Sequence, residues 1–352
     1  MNHSHFTSSV SNLTSIVETV QLGFLAVSLP LYLLLVVTII RFRSRRPFCS
    51  DFFTLCLSLG FLDILSLLNG WLLIKGPSLN WPGIPYLVRR FPWLAKVAIM
   101  ISWECAVGQH LSVALLALNR FTGLIMPLRH QLIWTKSFTA MIVVFQWLVP
   151  LITICPQASL PYRYLELDTG ELSKPHWLDH EAQVTYFLFL MILNICINLL
   201  SLILYSMIFY KLRQSSEQDR AGNNPHINRY DIKMAVYSFC IFITLLLYGT
   251  YALLRTLMPK GDPQLYRTLL IVYGVVNDVF SWCNPWLCLV LMGKVRRHMI
   301  ATGLCWNYTE TVSFVEGEDG PQPQMALPLA CMNIEMQRRG SLRPSDTLHK
   351  VS

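Results

Sequence analysis

The chain has 352 residues, of which 53% are hydrophobic and only 14% charged, with a mean hydropathy of +0.44. Such a composition does not fit a water-facing surface, so the bilayer is the expected solvent. A formal charge of +8 would point a soluble protein towards nucleic acid, but here the basic residues sit mostly in short segments between long apolar runs, as membrane orientation requires.

The N-terminal stretch from Met1 to Gln21 contains no Lys or Arg. The apolar run that follows is too long for a signal peptide and lacks a small-residue cleavage site, so it is expected to stay in the mature protein. Residues 1–19 read as an extracellular tail, in which Asn2-His3-Ser4 and Asn12-Leu13-Thr14 match the acceptor pattern for glycosylation at Asn2 and Asn12.

A hydrocarbon core of about 30 Å takes roughly 20 apolar residues as a helix, because every backbone N–H and C=O must be paired within the segment. Seven runs qualify: Val20 to Ile40, Phe52 to Ile74, Trp93 to Leu118, Phe138 to Cys155, Val184 to Tyr210, Met234 to Leu254 and Thr268 to Met292. The third is interrupted by Lys96, Glu104 and His110. Together they predict an all-α membrane domain, a seven-helix bundle over residues 20–292. With the N-terminus outside, 19 of the 28 Lys and Arg residues fall in inner segments, and Arg41, Arg43, Arg45 and Arg46 directly follow the first run. The positive-inside rule therefore favours a plasma-membrane protein with N-terminus outside and C-terminus in the cytoplasm. Beyond the last run, residues 293–306 read as an amphipathic helix on the inner leaflet and residues 307–352 as a disordered tail. Cys305 is a candidate for acylation there, and Ser341, in Arg338-Arg339-Gly340-Ser341, for phosphorylation.

The ten cysteines lie mostly in or beside apolar runs, which is no disulfide scaffold. The loop from Pro156 to Gln183 has none, so it must be held by packing or by its own secondary structure.

Ionisable groups inside a membrane are expensive and call for a partner, a water cavity or a function. Asp63 lies near the middle of the second run, and Asn284 of the seventh stands at a comparable height, so the two are expected to share a layer, either as a water- or ion-containing network or as a plain structural hydrogen bond. Pro285 beside Asn284 predicts a kink. The fifth run places Asn194, Asn198, Ser201 and Tyr205 on one helical face, the sixth Thr244, Tyr248, Tyr251 and Arg255, and the seventh Tyr273, Asn277, Ser281 and Asn284. Such stripes serve helix packing as readily as ligand contact. Glu104, Tyr186, Phe189, Tyr248, Tyr251, Tyr273 and Asn277, with Asp278 beside them, are expected in the outer half, where an aromatic cavity with a few polar anchors would take a small ligand. Glu104 either anchors a cationic group or pairs with Lys96 or Arg255.

No His-Glu-x-x-His, clustered histidine box or Gly-x-Ser-x-Gly is present, and His180-Glu181 lacks a second histidine. Neither an enzyme, a metal site nor a cofactor is expected. The odd number of unequal runs speaks against a transporter. A ligand-gated or pore-forming protein remains the competing class.

The end of the third run reads Leu118-Asn119-Arg120-Phe121-Thr122-Gly123-Leu124-Ile125-Met126-Pro127-Leu128-Arg129-His130, followed by Ile133-Trp134. This resembles the nematode serpentine chemoreceptors of the gamma superfamily, particularly classes gamma and V. The likeness extends to Pro30, the Asp63 region, Trp147 with Pro150, and Asn284-Pro285. It implies a seven-transmembrane, G-protein-coupled chemoreceptor of sensory neurons, with a small-molecule or pheromone-like ligand and a heterotrimeric G protein as partners. By the resemblance Arg120 corresponds to the arginine of the Glu/Asp-Arg-Tyr triplet of rhodopsin-like receptors, which restrains the inactive state and meets the G protein on activation. Asn119 stands where the acid would be, so the restraint must come from elsewhere, Tyr205 or a residue of the sixth run. The missing outer disulfide, Cys288 in place of a tyrosine and the absence of Cys-Trp-x-Pro set the chain apart from the rhodopsin-like group.

Overall fold

The computed structural model describes residues 3–45, 47–166, 172–220, 229–257 and 263–304. Each expected apolar run corresponds, to within a residue at its ends where it is not fully enclosed, to one long helix: α1 (His3–Arg41), α2 (Asp51–Asn69) continued by a π-helical turn (Gly70–Lys75), α4 (Leu94–Ile125), α6 (Lys136–Ile154), α7 (His180–Arg220), α8 (Arg229–Leu257) and α9 (Pro263–Leu291). Among them six stretches are long and apolar enough to cross a bilayer, and Gly274–Leu291 joins them when taken with Gly293–Gly303, from which it turns by 103°. The fold is an all-α seven-transmembrane bundle.

Every one of these helices extends past its predicted run at one end or both, and two of the extensions bear on predicted sites. The helical backbone of α1 starts at His3, well inside the segment expected as a tail. Asn12 lies on that backbone, its side chain outside the described residues, as is Asn2. Helix α4 runs on to Ile125, seven residues beyond the expected Leu118, because Phe121 and Leu124 still pack on the core and Pro127 is the first residue that cannot continue it. Asn119 and Arg120 are thereby inside a helix and buried.

The α4 helix is the axis of the molecule. It packs on α2, α6, α7 and α8, so it is buried along most of its length, including Gln109, His110 and Ser112. It comes close to α2 at Gly108, where a Cβ would stand 3.0 Å from Leu62 Cδ1. The outward walls of α1, α6 and α7 are apolar and exposed, as at Val27, Val144 and Leu199, which is the inverse of a soluble surface and matches a lipid environment.

Short elements decorate the two ends. At one end lie α3 (Ile84–Arg90) and a hairpin of β1 (Tyr162–Glu166) and β2 (Leu172–Trp177), antiparallel with Tyr162 opposite Trp177. The loop without cysteine is thus held by its own secondary structure. Tyr162 and Trp177 meet edge to face at 5.0 Å and pack on Ala95 and Ile99 of α4. Tyr164 OH donates to the Leu73 carbonyl at 2.7 Å, and Lys96 Nζ to the Ala158 carbonyl at 2.6 Å. The hairpin is clamped further by Arg89–Glu166 at 2.8 Å and Lys174–Glu18 at 3.7 Å. Burial pushes the Tyr162 and Tyr164 hydroxyls above the usual phenol range.

At the other end lie α5 (Pro127–Ile133) and α10 (Gly293–Leu304). Helix α10 turns Val295 and Met299 into the core and leaves Lys294, Arg296 and Arg297 outside, an amphipathic pattern suited to a bilayer surface. His298 sits edge-on to Phe42 at 4.6 Å. Residues 305–352, with Cys305 and Ser341, lie outside the described residues.

Candidate functional site

Arg120 sits at the α5 end of α4, between α2 and α8. Its Nη2 donates to Asn119 Oδ1 at 2.7 Å, its Nη1 stands 4.0 Å from Asp231 Oδ1 and 3.5 Å from Met234 Sδ, both on α8, and the guanidinium lies 4.2 Å from the ring centroid of Phe52 on α2. The acid facing Arg120 is thus Asp231, three residues before the sixth run on α8, and Asn119 adds a neutral bond where an acid would have added a charged one. Tyr205 of α7 is buried one layer away, against Phe239 and Phe242 at 5.5 and 5.2 Å. Next to Arg120, Thr122 Oγ1 accepts from Trp134 Nε1 at 2.8 Å and bonds His130 Nδ1 at 2.9 Å. This hub fastens α5 to α4. Burial, and then the nearby Arg120 charge, push the His130 imidazole down to about 4, so it is neutral at physiological pH. With the corner held in this way, Leu128 and Leu132 on α5 project outward, 87% and 78% exposed.

Halfway along the bundle, Asp63 and Asn284 share the layer expected of them. Asp63 Oδ1 accepts from Gln109 Nε2 at 2.6 Å, and Oδ2 accepts from Tyr32 OH and, at 3.4 Å, from Asn284 Nδ2. Asn284 Nδ2 also donates to Tyr32 OH at 2.6 Å, while its Oδ1 accepts from Tyr237 OH. Five helices, α1, α2, α4, α8 and α9, thus meet in one network. Protein donors satisfy both carboxylate oxygens, which carries the structural side of the two readings. Pro285, next in chain, is buried beneath the layer.

Towards the hairpin end, Glu104, Tyr186, Tyr248 and Asp278 are buried, and Asn277 is half-buried. Trp103 and Val107, on either side of Glu104, pack on Tyr186 and Leu190 of α7. Tyr248 of α8 faces the His110 ring at 5.8 Å. Phe189 departs from the expectation: it is 50% exposed on the lipid-facing wall of α7 and reaches inward only through its ring against Tyr186 at 6.2 Å. Its place three residues after Tyr186 rotates it off the inward stripe that continues through Leu190 and Asn194. Tyr251, Arg255 and Tyr273 lie on α8 and α9 with side chains outside the described residues. Glu104 does not pair with Lys96, whose ammonium is taken by the Ala158 carbonyl.

The sequence reading missed a second charged cluster in this half. Lys75, on the π-helical turn, bonds Asp278 Oδ2 of α9 at 2.6 Å and Gln21 Oε1 of α1 at 3.3 Å, and its ammonium lies 4.1 Å from the Trp71 ring centroid. A π-helical turn widens the helix by one residue and often re-aims side chains at functional positions; here it brings Lys75 and Trp71 inward together. The available signal was charge: Lys75 directly follows the second run, and Asp278 interrupts the seventh. Tyr32, Gln109 and Tyr237 were missed as well, since neutral polar residues in apolar runs carry no such mark.

Among the described residues no cluster of His, Cys, Asp and Glu is arranged to hold a metal ion. The deeply buried polar seam along α4, the Arg120 junction and the clamped hairpin belong to one seven-helix bundle. Comparison with known proteins agrees in kind. The family model for the serpentine-type 7TM GPCR chemoreceptor Srv matches residues 21–305. The chain is also similar to serpentine receptor class V-1 of Caenorhabditis elegans, with 29% identity over 283 residues, covering 80% of this chain and 88% of that protein. A match that runs from α1 to the end of α10 shows that the chain belongs to the Srv family of serpentine seven-transmembrane chemoreceptors.

Proposed function

We propose that the chain detects a small extracellular ligand between α4, α7, α8 and α9 near the hairpin end and activates a heterotrimeric G protein from the Arg120 end. In this reading the hairpin faces outward, the C-terminus lies in the cytoplasm and, as the family resemblance implies, the receptor serves a sensory neuron. The observation that carries it is the junction of Arg120 with Asp231 across α4 and α8, beside an α5 helix that exposes Leu128 and Leu132. An ion pair at 4.0 Å between two helices can open, and opening it would uncover the positive charge of Arg120 beside the apolar surface of α5. The ligand shifts this equilibrium by as much as it binds the open state more tightly than the closed one.

Arg120→Ala tests the coupling half of the reading. At matched surface expression it is expected to abolish ligand-evoked G-protein activation; full signalling by the variant would refute the assignment. Ligand-evoked current that survives removal of all G proteins would instead favour a pore-forming protein.

A further inference from the structure

Buried polar atoms are almost always paired, because an unpaired one forfeits its bonds to water without replacement. Along the seam between α4, α7 and α8, four such atoms stand without a hydrogen-bond partner: Glu104 Oε2, His110 Nε2, Asn194 Oδ1 and Asn198 Oδ1. The side chains of Glu104, His110 and Asn198 are themselves buried, with residue exposures of 6%, 0% and 8%. All four atoms are acceptors. The carboxylate and amide oxygens can only accept. His110 reaches the same state through its neighbour: Nδ1 lies 2.7 Å from the Ala106 carbonyl oxygen, which cannot donate, so Nδ1 carries the hydrogen and the neutral ring leaves Nε2 with a lone pair.

These groups follow one another along the seam. Glu104 lies between Trp103 and Val107, which pack on Tyr186 and Leu190. Asn194 and Asn198 continue the α7 stripe below Leu190 at one-turn steps, and His110 stands about one turn below Val107 on α4. Helix α8 closes the third side: Tyr248 faces His110, and a Cβ on Gly249 would stand 3.0 Å from Asn198 Nδ2. Three lysines of this half are engaged elsewhere, Lys75 with Asp278, Lys96 with the Ala158 carbonyl and Lys174 with Glu18.

We propose that this seam is the ligand site and that it selects positively charged primary or secondary amines, whose N–H groups are taken by Glu104 and, deeper, by His110, Asn194 and Asn198. The inference rests on the receptor reading above and adds the chemistry of the ligand. A carboxylate or phosphate would bring these four atoms further acceptors and a charge of the same sign as Glu104, whereas an ammonium supplies donors and the complementary charge together. The rings of Trp103, Tyr186 and Tyr248 offer faces to the cation. The four acceptor atoms are sealed from solvent in this conformation, so the amine binds a state in which α7 and α8 have parted from α4, and its binding energy favours that separation.

The test uses the full-length receptor in lipid nanodiscs, screened by thermal unfolding against a panel of primary and secondary amines, each with its matched alcohol and carboxylic acid; phenethylamine, 2-phenylethanol and phenylacetate form one such set. Hits are expected among the amines alone, raising the unfolding midpoint by several degrees at about 100 times their Kd. Glu104→Gln should cost the hits at least about tenfold in affinity, as the loss of a charge-assisted bond does. It should leave the ligand-free midpoint unchanged or higher, because it removes an unpaired buried carboxylate; a carboxylate with a structural role would give a lower one. Gly249→Ala, which presses on Asn198, should weaken the same hits with Glu104 intact. Hits among acids or alcohols, amines that bind Glu104→Gln as well as the parent, or a panel without an amine hit would each overturn the proposal. Amine binding without G-protein activation would uphold the site and refute the receptor reading. A non-amine ligand that activates the G protein would do the reverse.

Discussion

Arg120 shows how one substitution in a motif redistributes a restraint. With Asn119 beside it the local bond is neutral, and an acid that faces the guanidinium, Asp231, stands at 4.0 Å on another helix. Asp231→Asn is expected to raise ligand-independent G-protein activation in a reporter assay, and Asn119→Asp to lower it, since the restored charge-assisted bond is roughly twice as strong as a neutral one. His130 gives a second prediction. Its pKa is lowered by burial and by Arg120 to about 4, below the unfolded value of about 6.5. The corner it holds with Thr122 and Trp134 is therefore fully stable above pH 6.5 and loosens as pH falls from about 6.5 towards 4, where the open form binds the extra proton. Hydrogen exchange along α5 should speed up over that interval, and His130→Gln should flatten the response. At this scale charges inside the apolar runs were the legible signal: Asp63 and Glu104 marked their positions, while Asp278 did so without revealing Lys75 as its partner. Gln21 and Gln109 gave no such signal, because an uncharged polar residue in a membrane helix is commonplace until its partner is known.

At the level of elements, boundaries follow from where a helix loses either its partners or its geometry. Hydropathy ended the third run at Leu118, since Asn119 and Arg120 lower the local average, but the packing of Phe121 and Leu124 carries α4 on to Ile125. The hairpin was beyond the reach of pattern reading. Its two strands have five and six residues, too few for an alternation to stand out, and its register rests on Tyr162 meeting Trp177 and on contacts with α3 and the Leu73 carbonyl. Helix α4 is the element least able to accept change. Gly108→Val would force its side chain against Leu62, which a Cβ alone would approach to 3.0 Å, and overpacking of this kind costs about 1–3 kcal/mol. A thermal-unfolding assay in detergent should register the loss, and pairing the change with Leu62→Ala should recover part of it.

Across the whole molecule, contacts remote in sequence decide which helices move together. Lys75 and Asp278, 203 residues apart, tie α2 to α9, and Gln21 draws in α1, while the Asp63 network joins the same three helices half a membrane away. Removing one member of a buried pair strands the other charge at a cost of about 3–5 kcal/mol, whereas replacing both with apolar residues is often close to neutral. Lys75→Met alone should therefore lower the unfolding midpoint more than Lys75→Met combined with Asp278→Leu. The seven-helix count was legible because lipid enforces long apolar runs; the tertiary pairs were not, since a lysine at a helix end ordinarily reaches for the headgroups rather than for a distant aspartate.

The cover over the hairpin end has a consequence for how access to the bundle is controlled. It contains no cysteine between Pro156 and Gln183, and its fastenings to α1 and α3 are the exposed or half-exposed pairs Lys174–Glu18 and Arg89–Glu166. Dithiothreitol at concentrations that cleave structural disulfides should leave ligand response intact. Raising ionic strength to about 0.5 M should weaken both clasps through screening and quicken ligand entry and exit. A cover fastened by such pairs rather than by disulfide bonds would answer to the saltiness of the fluid that bathes it.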